Sequence, residues 1–282
     1  MGIYINKQYI ASKIVDKLIN DKEKQQQLTE NIYQLELESK LLFNYSTYKS
    51  HIFRNFKYEK NNDRNTIRRK ILKELISFDI PINEDNICLG SGGCAPAFVT
   101  KHNFFQIIGL PGSGKTYMAN IISKKYGAYL VDSDFAKRKF PEFESFSCSS
   151  SLLHEEANEL TYSLEINSLF KYCIQNEFSM VVPRIGYLYE SLSNTLKLVK
   201  NNGYNVYLIL MDMDSTESIK NCYKRYSKTG RYIPLLKILN DCGSLPKVNY
   251  DLIKNDDYIS GYALIATNLF PNYSVIEKFC SD

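Results

Sequence analysis

No run in this 282-residue chain approaches 18 consecutive apolar residues, so no segment reads as a membrane-spanning helix. The opening residues, MGIYINKQYI, lack an apolar core before a small-residue cleavage site, and export by the general route is not expected. Gly2 is followed by Asn6 where a myristoylation signal wants Ser or Thr, which removes lipidation. Histidines number three, and the seven cysteines are odd in count and hold no CxxC pair. Neither a zinc site nor a disulfide framework is expected from such a set. These absences describe a soluble protein of a reducing compartment.

Hydrophobic residues at 44% and charged residues at 23% are those of a globular protein. Disorder, collagen and coiled coil are excluded for the whole chain, and the length allows one large or two small domains. The net charge of +4 is unevenly placed, because residues 1–84 hold 15 Lys/Arg against 11 Asp/Glu while residues 85–282 balance at 20 each. Residues 54–73 carry eight basic and two acidic side chains, with Phe56 and Tyr58 between them. That stretch is either a polyanion patch or the solvated face of a helix, and the second reading is preferred.

The first 85 residues read as a helical region. Ile10, Ile14, Leu18 and then Leu28, Ile32, Leu35, Leu42 recur at helical spacing. Thr66 is the expected N-cap of a helix whose apolar face is Ile67, Ile71, Leu72, Leu75 and Ile76, ended by Pro81. A Gly-rich link, Gly90–Gly93, then offers a hinge. From residue 86 the pattern changes to short apolar runs at 104–108, 128–131, 180–182 and 206–211, each followed by a helical stretch. Strands alternating with helices predict an α/β fold with a doubly wound parallel sheet over residues 86–282.

One motif dominates: Gly109-Leu-Pro111-Gly112-Ser113-Gly114-Lys115-Thr116 is a complete phosphate loop between an expected strand and an expected helix. Its glycines let successive N–H groups curl around phosphate oxygens, and the helix N-terminus adds partial positive charge. Lys115 reaches the β- and γ-phosphates of a nucleoside triphosphate, and the Thr116 hydroxyl is placed to ligate Mg2+. The next strand ends in Asp132-Ser-Asp134, 17 and 19 residues beyond Lys115. A carboxylate there suits a phosphoryl transferase, which needs an acceptor for the proton of the attacking hydroxyl. Asp134 is favoured over Asp212, because Asp214-Ser-Thr-Glu217 beyond the latter reads as a helix capping box. Lys137, Arg138 and Lys139 follow the turn, and Arg225 and Arg231 stand in a second basic cluster able to grip displaced phosphate charge.

With GLPGSGKT, YLVDSDFAKRKFPEF, VVPRIGYLYESL and NNGYNVYLILMDMDSTESIKNCYKRYSKTGRYIP, residues 88–245 resemble the zeta-toxin kinases, and polynucleotide kinases share the layout. The resemblance implies an ATP- and Mg2+-dependent kinase acting on a ribose or sugar hydroxyl of a nucleotide-containing metabolite. The founding branch uses UDP-N-acetylglucosamine and an effector branch uses NAD. It further implies Lys115 and Thr116 as phosphate and magnesium ligands, Asp134 as base, and Arg225 and Arg231 on the phosphates. A toxin or effector role, a protein antitoxin or inhibitor, and a cytoplasmic site of action in the producing or a target cell also follow from it. The founding branch's E-G-T segment is replaced here by Pro183-Arg184-Ile185-Gly186. Glu155 or Glu156 is then the candidate carboxylate for the substrate, with Asp132, Lys137 and Arg184 as further substrate contacts. Two rivals stay open. A polynucleotide 5′-kinase would use the basic stretch as a track for nucleic acid, and a phosphate-loop ATPase would lack an acceptor altogether.

Overall fold

The computed structural model describes residues 5–83, 86–267 and 273–280. Gly2 and the expected boundary at residue 85 lie outside the described residues. Among those described, six strands form one sheet: β1 (Asn103–Gly109), β2 (Tyr129–Leu130), β3 (Met180–Pro183), β4 (Asn205–Asp212), β5 (Gly261–Ala266) and β6 (Ser274–Cys280). Their order is β2-β3-β1-β4-β5-β6. The first five run parallel, and β6 closes the edge antiparallel to β5. β1 is buried from Phe104 to Gly109 without alternation. Continuous burial of that kind means both faces of the sheet are covered, the mark of a doubly wound arrangement. β5 and β6 carried no comparable signal, because β5 is a short run interrupted by Gly and Ala and β6 is mostly exposed.

Helices frame the sheet. The long α1 (Lys22–Asn44) is capped by Asp21, and α2 (Asn61–Ser77) follows it. The connecting and covering helices are α3 (Lys115–Tyr126), α4 (Ser133–Arg138), α5 (His154–Tyr162), α6 (Leu169–Gln175), α7 (Tyr189–Asn201), α8 (Ser215–Thr229) and α9 (Leu245–Ile253). Among the described residues no helix is long and apolar enough to cross a membrane. Thr66 is not a cap: it sits inside α2 and bonds back to the Asn62 carbonyl at 3.0 Å, the helix having begun one turn earlier. Pro81 does not end α2 either, which stops at Ser77 as Phe78 turns extended.

Residues before the sheet are built into it. Ile67, Ile71 and Leu75 of α2 join the sheet's own core, and Ile10, Ile14, Ile32, Leu35 and Leu42 pack with Leu110, Leu152, Ile219 and Leu236 in a second one. A fully buried Arg64 binds Glu142 at 2.7 Å and bridges both oxygens of Glu156, which also accepts from Arg68 at 2.6 Å and from Thr47. The Gly-rich link is pinned rather than hinged. Lys139 Nζ, buried, binds Glu74 at 2.7 Å together with the carbonyls of Cys88 and Ser91, while Gly90 N–H donates to Glu74. A Cβ on Gly93 would collide with the backbone carbonyls of Phe78 and Glu74. Three of the eight basic residues in the stretch at 54–73 are spent in the same way. Arg54 donates to the carbonyls of Thr47, Tyr48 and Glu59, and Arg64 and Arg68 are held by carboxylates.

Candidate active site

β1 ends at the sheet's switch point, with β3 on one side and β4 on the other, so the crevice beyond its carboxyl end is the expected ligand position. Residues 109–114 fill that position. Gly112 and Gly114 take left-handed conformations, φ +74° and +85°, which a side chain would strain. α8 braces the loop from outside, since Ser218 Oγ donates to the Pro111 carbonyl at 2.6 Å and Asn221 Nδ2 to the Gly112 carbonyl at 3.2 Å. Lys115 Nζ donates to the loop carbonyls of Gly109 and Leu110 at 2.9 and 2.6 Å, and burial pushes its ammonium down to about 8. Ser113 Oγ is buried with no hydrogen-bond partner. A curled loop with an orphaned hydroxyl and an ammonium resting on the loop's own carbonyls fits a phosphate chain, whose oxygens would satisfy both. Thr116, half-buried in the first turn of α3, is the residue able to hold magnesium there. Gly114→Ala tests the loop directly. A Cβ would meet Tyr273 Oη at 2.9 Å and occupy a left-handed φ, so ATP affinity in a fluorescence titration should fall roughly tenfold or more.

The loop opens onto a cleft of about 1550 Å³ that also receives Asp132, Asp134, Lys137, Arg138, Arg184 and Arg225. Asp132 caps α4, its carboxylate accepting the Asp134 N–H at 2.9 Å. The cap leaves Asp134 in the first turn, half-exposed, with Lys137 Nζ on its Oδ1 at 2.8 Å. The Lys137 charge holds the Asp134 carboxyl well below the usual range against the opposing effect of burial, with Arg225 and Arg138 adding to it. Asp134 is therefore an ionised acceptor surrounded by cations. Arg184 follows β3 and is anchored through its N–H to the Ile107 carbonyl at 2.9 Å, with its guanidinium over Tyr162 at 4.6 Å.

Three candidates are not brought to the cleft. Glu156 is sealed in the Arg64 cluster, and Glu155 pairs outward with Lys49 at 2.5 Å. α5 turns these two faces toward residues 47–68 and gives the cleft His154, Asn158 and Tyr162 instead. Arg231 binds Glu144 at 2.7 Å and stacks over Phe143 at 4.6 Å, outside the cleft wall. The αL turn at Gly230 that ends α8 points the chain away from the face carrying Arg225. Asp212 is taken up by Lys247 at 2.6 Å, and its carbonyl accepts from Thr267. Asp214 caps α8 through the Thr216 N–H, but Glu217 pairs with Lys220 rather than closing a capping box.

The sequence reading missed the far wall. α1 supplies Lys40, Phe43 and Asn44, and the turn after Pro234 supplies Lys237. His154, with Asn158 at 3.1 Å, is pushed down to about 3 by burial and by the charges of Lys137 and Lys237, so its ring is neutral. No motif marks these residues, because the packing of α1 against the sheet's helices brings Lys40, Phe43 and Asn44 here.

Compared with known proteins, residues 103–254 match the family model described as Zeta toxin, which is more than half of the chain. The structure resembles that of the PezAT chromosomal toxin–antitoxin system of Streptococcus pneumoniae, with a TM-score of 0.55 and 14% identity over 80% of this chain and 83% of that one. It also resembles the AvrRxo1-ORF1:-ORF2 complex with ATP, with a TM-score of 0.53 and 18% identity over 78% of this chain and 68% of that one. At such identities the structural likeness shows the fold. No curated protein sequence matches the chain.

Proposed function

The chain belongs to the zeta toxin family of phosphate-loop phosphotransferases, and from that premise we propose that it moves the γ-phosphoryl group of ATP to a ribose or sugar hydroxyl of a nucleotide-containing metabolite. The observation that carries this reading is one cleft in which the phosphate loop and an ionised, half-exposed Asp134 both stand, ringed by Lys137, Arg184 and Arg225. The solved AvrRxo1 complex with ATP supports the choice of nucleotide.

Each step follows from these residues. The loop N–H groups and Lys115 bind the β- and γ-phosphates, Lys115 exchanging its two loop carbonyls for phosphate oxygens. The Thr116 hydroxyl would hold magnesium, whose charge neutralises phosphate oxygens when it is bound. Asp134 orients the acceptor hydroxyl and takes its proton as the new O–P bond forms and the bond from the γ-phosphorus to the β,γ-bridging oxygen breaks, releasing ADP. Its low basicity suits a loose transition state, in which the proton leaves late and orientation matters most. Lys137 then has a second partner in the transferring group, and Arg225 neutralises charge on it.

Arginine placement yields a paired test. Arg225→Ala should lower turnover roughly tenfold to a hundredfold with ATP affinity nearly kept. Arg231→Lys should stay within about threefold of wild type, because its guanidinium serves Glu144 and Phe143. The opposite ranking would move the phosphate clamp to Arg231. The reaction itself is tested by mass spectrometry of a nucleotide-metabolite pool incubated with protein, ATP and Mg2+. A gain of one phosphoryl group on a metabolite supports the reading. Phosphate release with no phosphorylated acceptor would leave an ATPase. The polynucleotide 5′-kinase reading loses support, since Arg54, Arg64 and Arg68 of its supposed track are engaged internally.

The same reading takes residues 1–85 as an N-terminal helical region of the kinase unit at 86–282, and the cytoplasm as the place of action. A protein inhibitor is the expected partner, by analogy with the toxin–antitoxin assembly of PezAT.

A further inference from the structure

The cleft has a wall that the phosphate chemistry does not use. Phe43, near the end of α1, is 53% exposed although it lines a concave site. Its ring lies 6.3 Å from that of His154 at an interplanar angle of 38°. α1 is fixed in place there. Ser39 Oγ is 2.7 Å from Ser151 Oγ, and the buried Glu36 accepts from Tyr232 Oη at 2.6 Å and the Leu235 N–H at 2.7 Å. The His154 ring is neutral, and Asp134 and Lys137 are near enough to act on it electrostatically. The cleft therefore brings together the phosphate loop, the cations around the Asp134 carboxylate, and an uncharged aromatic pair with the Asn158 amide 3.1 Å from the His154 ring and Asn44 also in the lining.

An exposed phenyl ring in a water-filled cleft lowers free energy by covering itself with a flat apolar face. A base or nicotinamide-type ring offers such a face, and its polar rim meets the amides. Resting on the kinase reading above, we propose that Phe43 and His154 form the platform on which the heteroaromatic ring of the acceptor stacks, which makes α1 a specificity-determining part of the acceptor site. The family match begins at residue 103, so the Phe43 side of this wall comes from the chain's own N-terminal helix, while His154 lies within the matched region.

The test uses the full chain saturated with a non-hydrolysable ATP analogue, so that only the acceptor side is open. Uridine 5′-monophosphate, nicotinamide mononucleotide and the ringless control ribose 5-phosphate are titrated by calorimetry into wild type, Phe43→Ala and Phe43→Trp. At least one of the two nucleotides should bind wild type roughly tenfold or more tightly than ribose 5-phosphate. Phe43→Ala should erase that advantage, and Phe43→Trp should keep it. Equal binding of nucleotide to wild type and Phe43→Ala would overturn the proposal. So would ribose 5-phosphate binding as tightly as both nucleotides, or neither nucleotide binding loaded wild type at millimolar concentration. The kinase reading fails separately, by a wild-type reaction that leaves no phosphorylated metabolite.

Discussion

Replacing Asp134 with Asn is expected to lower turnover at least about a hundredfold while ATP affinity stays within about threefold. The substitution keeps the size and the first-turn position of the side chain, and the loop at 109–116 is not touched. What is lost is the anionic acceptor and its hold on Lys137. Because the Lys137 charge keeps the Asp134 carboxyl well below its ordinary range, no acid limb from this residue should enter the rate profile between about pH 5 and 8. Single-turnover kinetics with a defined acceptor, beside an ATP titration, separate the two effects. Turnover close to wild type in Asp134→Asn would take the residue out of the chemistry.

Glu156→Ala should be the most damaging change to stability. Its carboxylate is fully buried and serves Arg64, Arg68 and Thr47, so its removal leaves a buried guanidinium with, among the described residues, Glu142 as its one remaining carboxylate. Breaking a pair of this kind costs about 3–5 kcal/mol, which for a chain of this size corresponds to a fall in Tm of roughly 10 °C. Glu155→Ala, one residue earlier in a largely exposed pair with Lys49, should cost no more than about 1 kcal/mol. The pH dependence has a fixed sign. Burial alone would raise the Glu156 carboxyl, but Arg64, Arg68 and Thr47 hold it below its ordinary value on balance. Its contribution is therefore complete above the usual carboxylate range and is lost as pH falls through the depressed folded-state value. Thermal melts of the two variants from pH 7 downward read both effects. A stable Glu156→Ala with selectively weakened acceptor binding would return the residue to the substrate site.

Local chemistry was legible in the residues themselves. A phosphate loop is read from eight consecutive positions because its function lies in backbone conformation, which its glycines and the following helix fix within the segment. Asp134 was legible for a related reason: a strand followed by an Asp-capped helix places its first-turn carboxylate at the mouth of the sheet whatever surrounds it. Four strands, β1 to β4, could be read from their apolar runs, and the fold class with them.

The rest depended on which face of each helix meets which neighbour. His154, Glu155 and Glu156 are consecutive, yet one enters the cleft, one reaches solvent with Lys49, and one is sealed against Arg64. Successive helical positions differ by about 100° in direction, so their roles were assigned only when α5 packed against α2 and α4. Arg225 and Arg231 diverged at the left-handed turn of Gly230 in the same way. The basic stretch at 54–73 had looked like an outward face, and buried carboxylates drawn from residues 142 and 156 turned part of it inward. The sequence by itself determined that this protein carries a phosphate loop on a mostly parallel sheet, because those signals are local and backbone-borne. Only the tertiary structure decided that its N-terminal helix forms the opposite wall of the cleft, because that wall is made by contacts between segments more than a hundred residues apart.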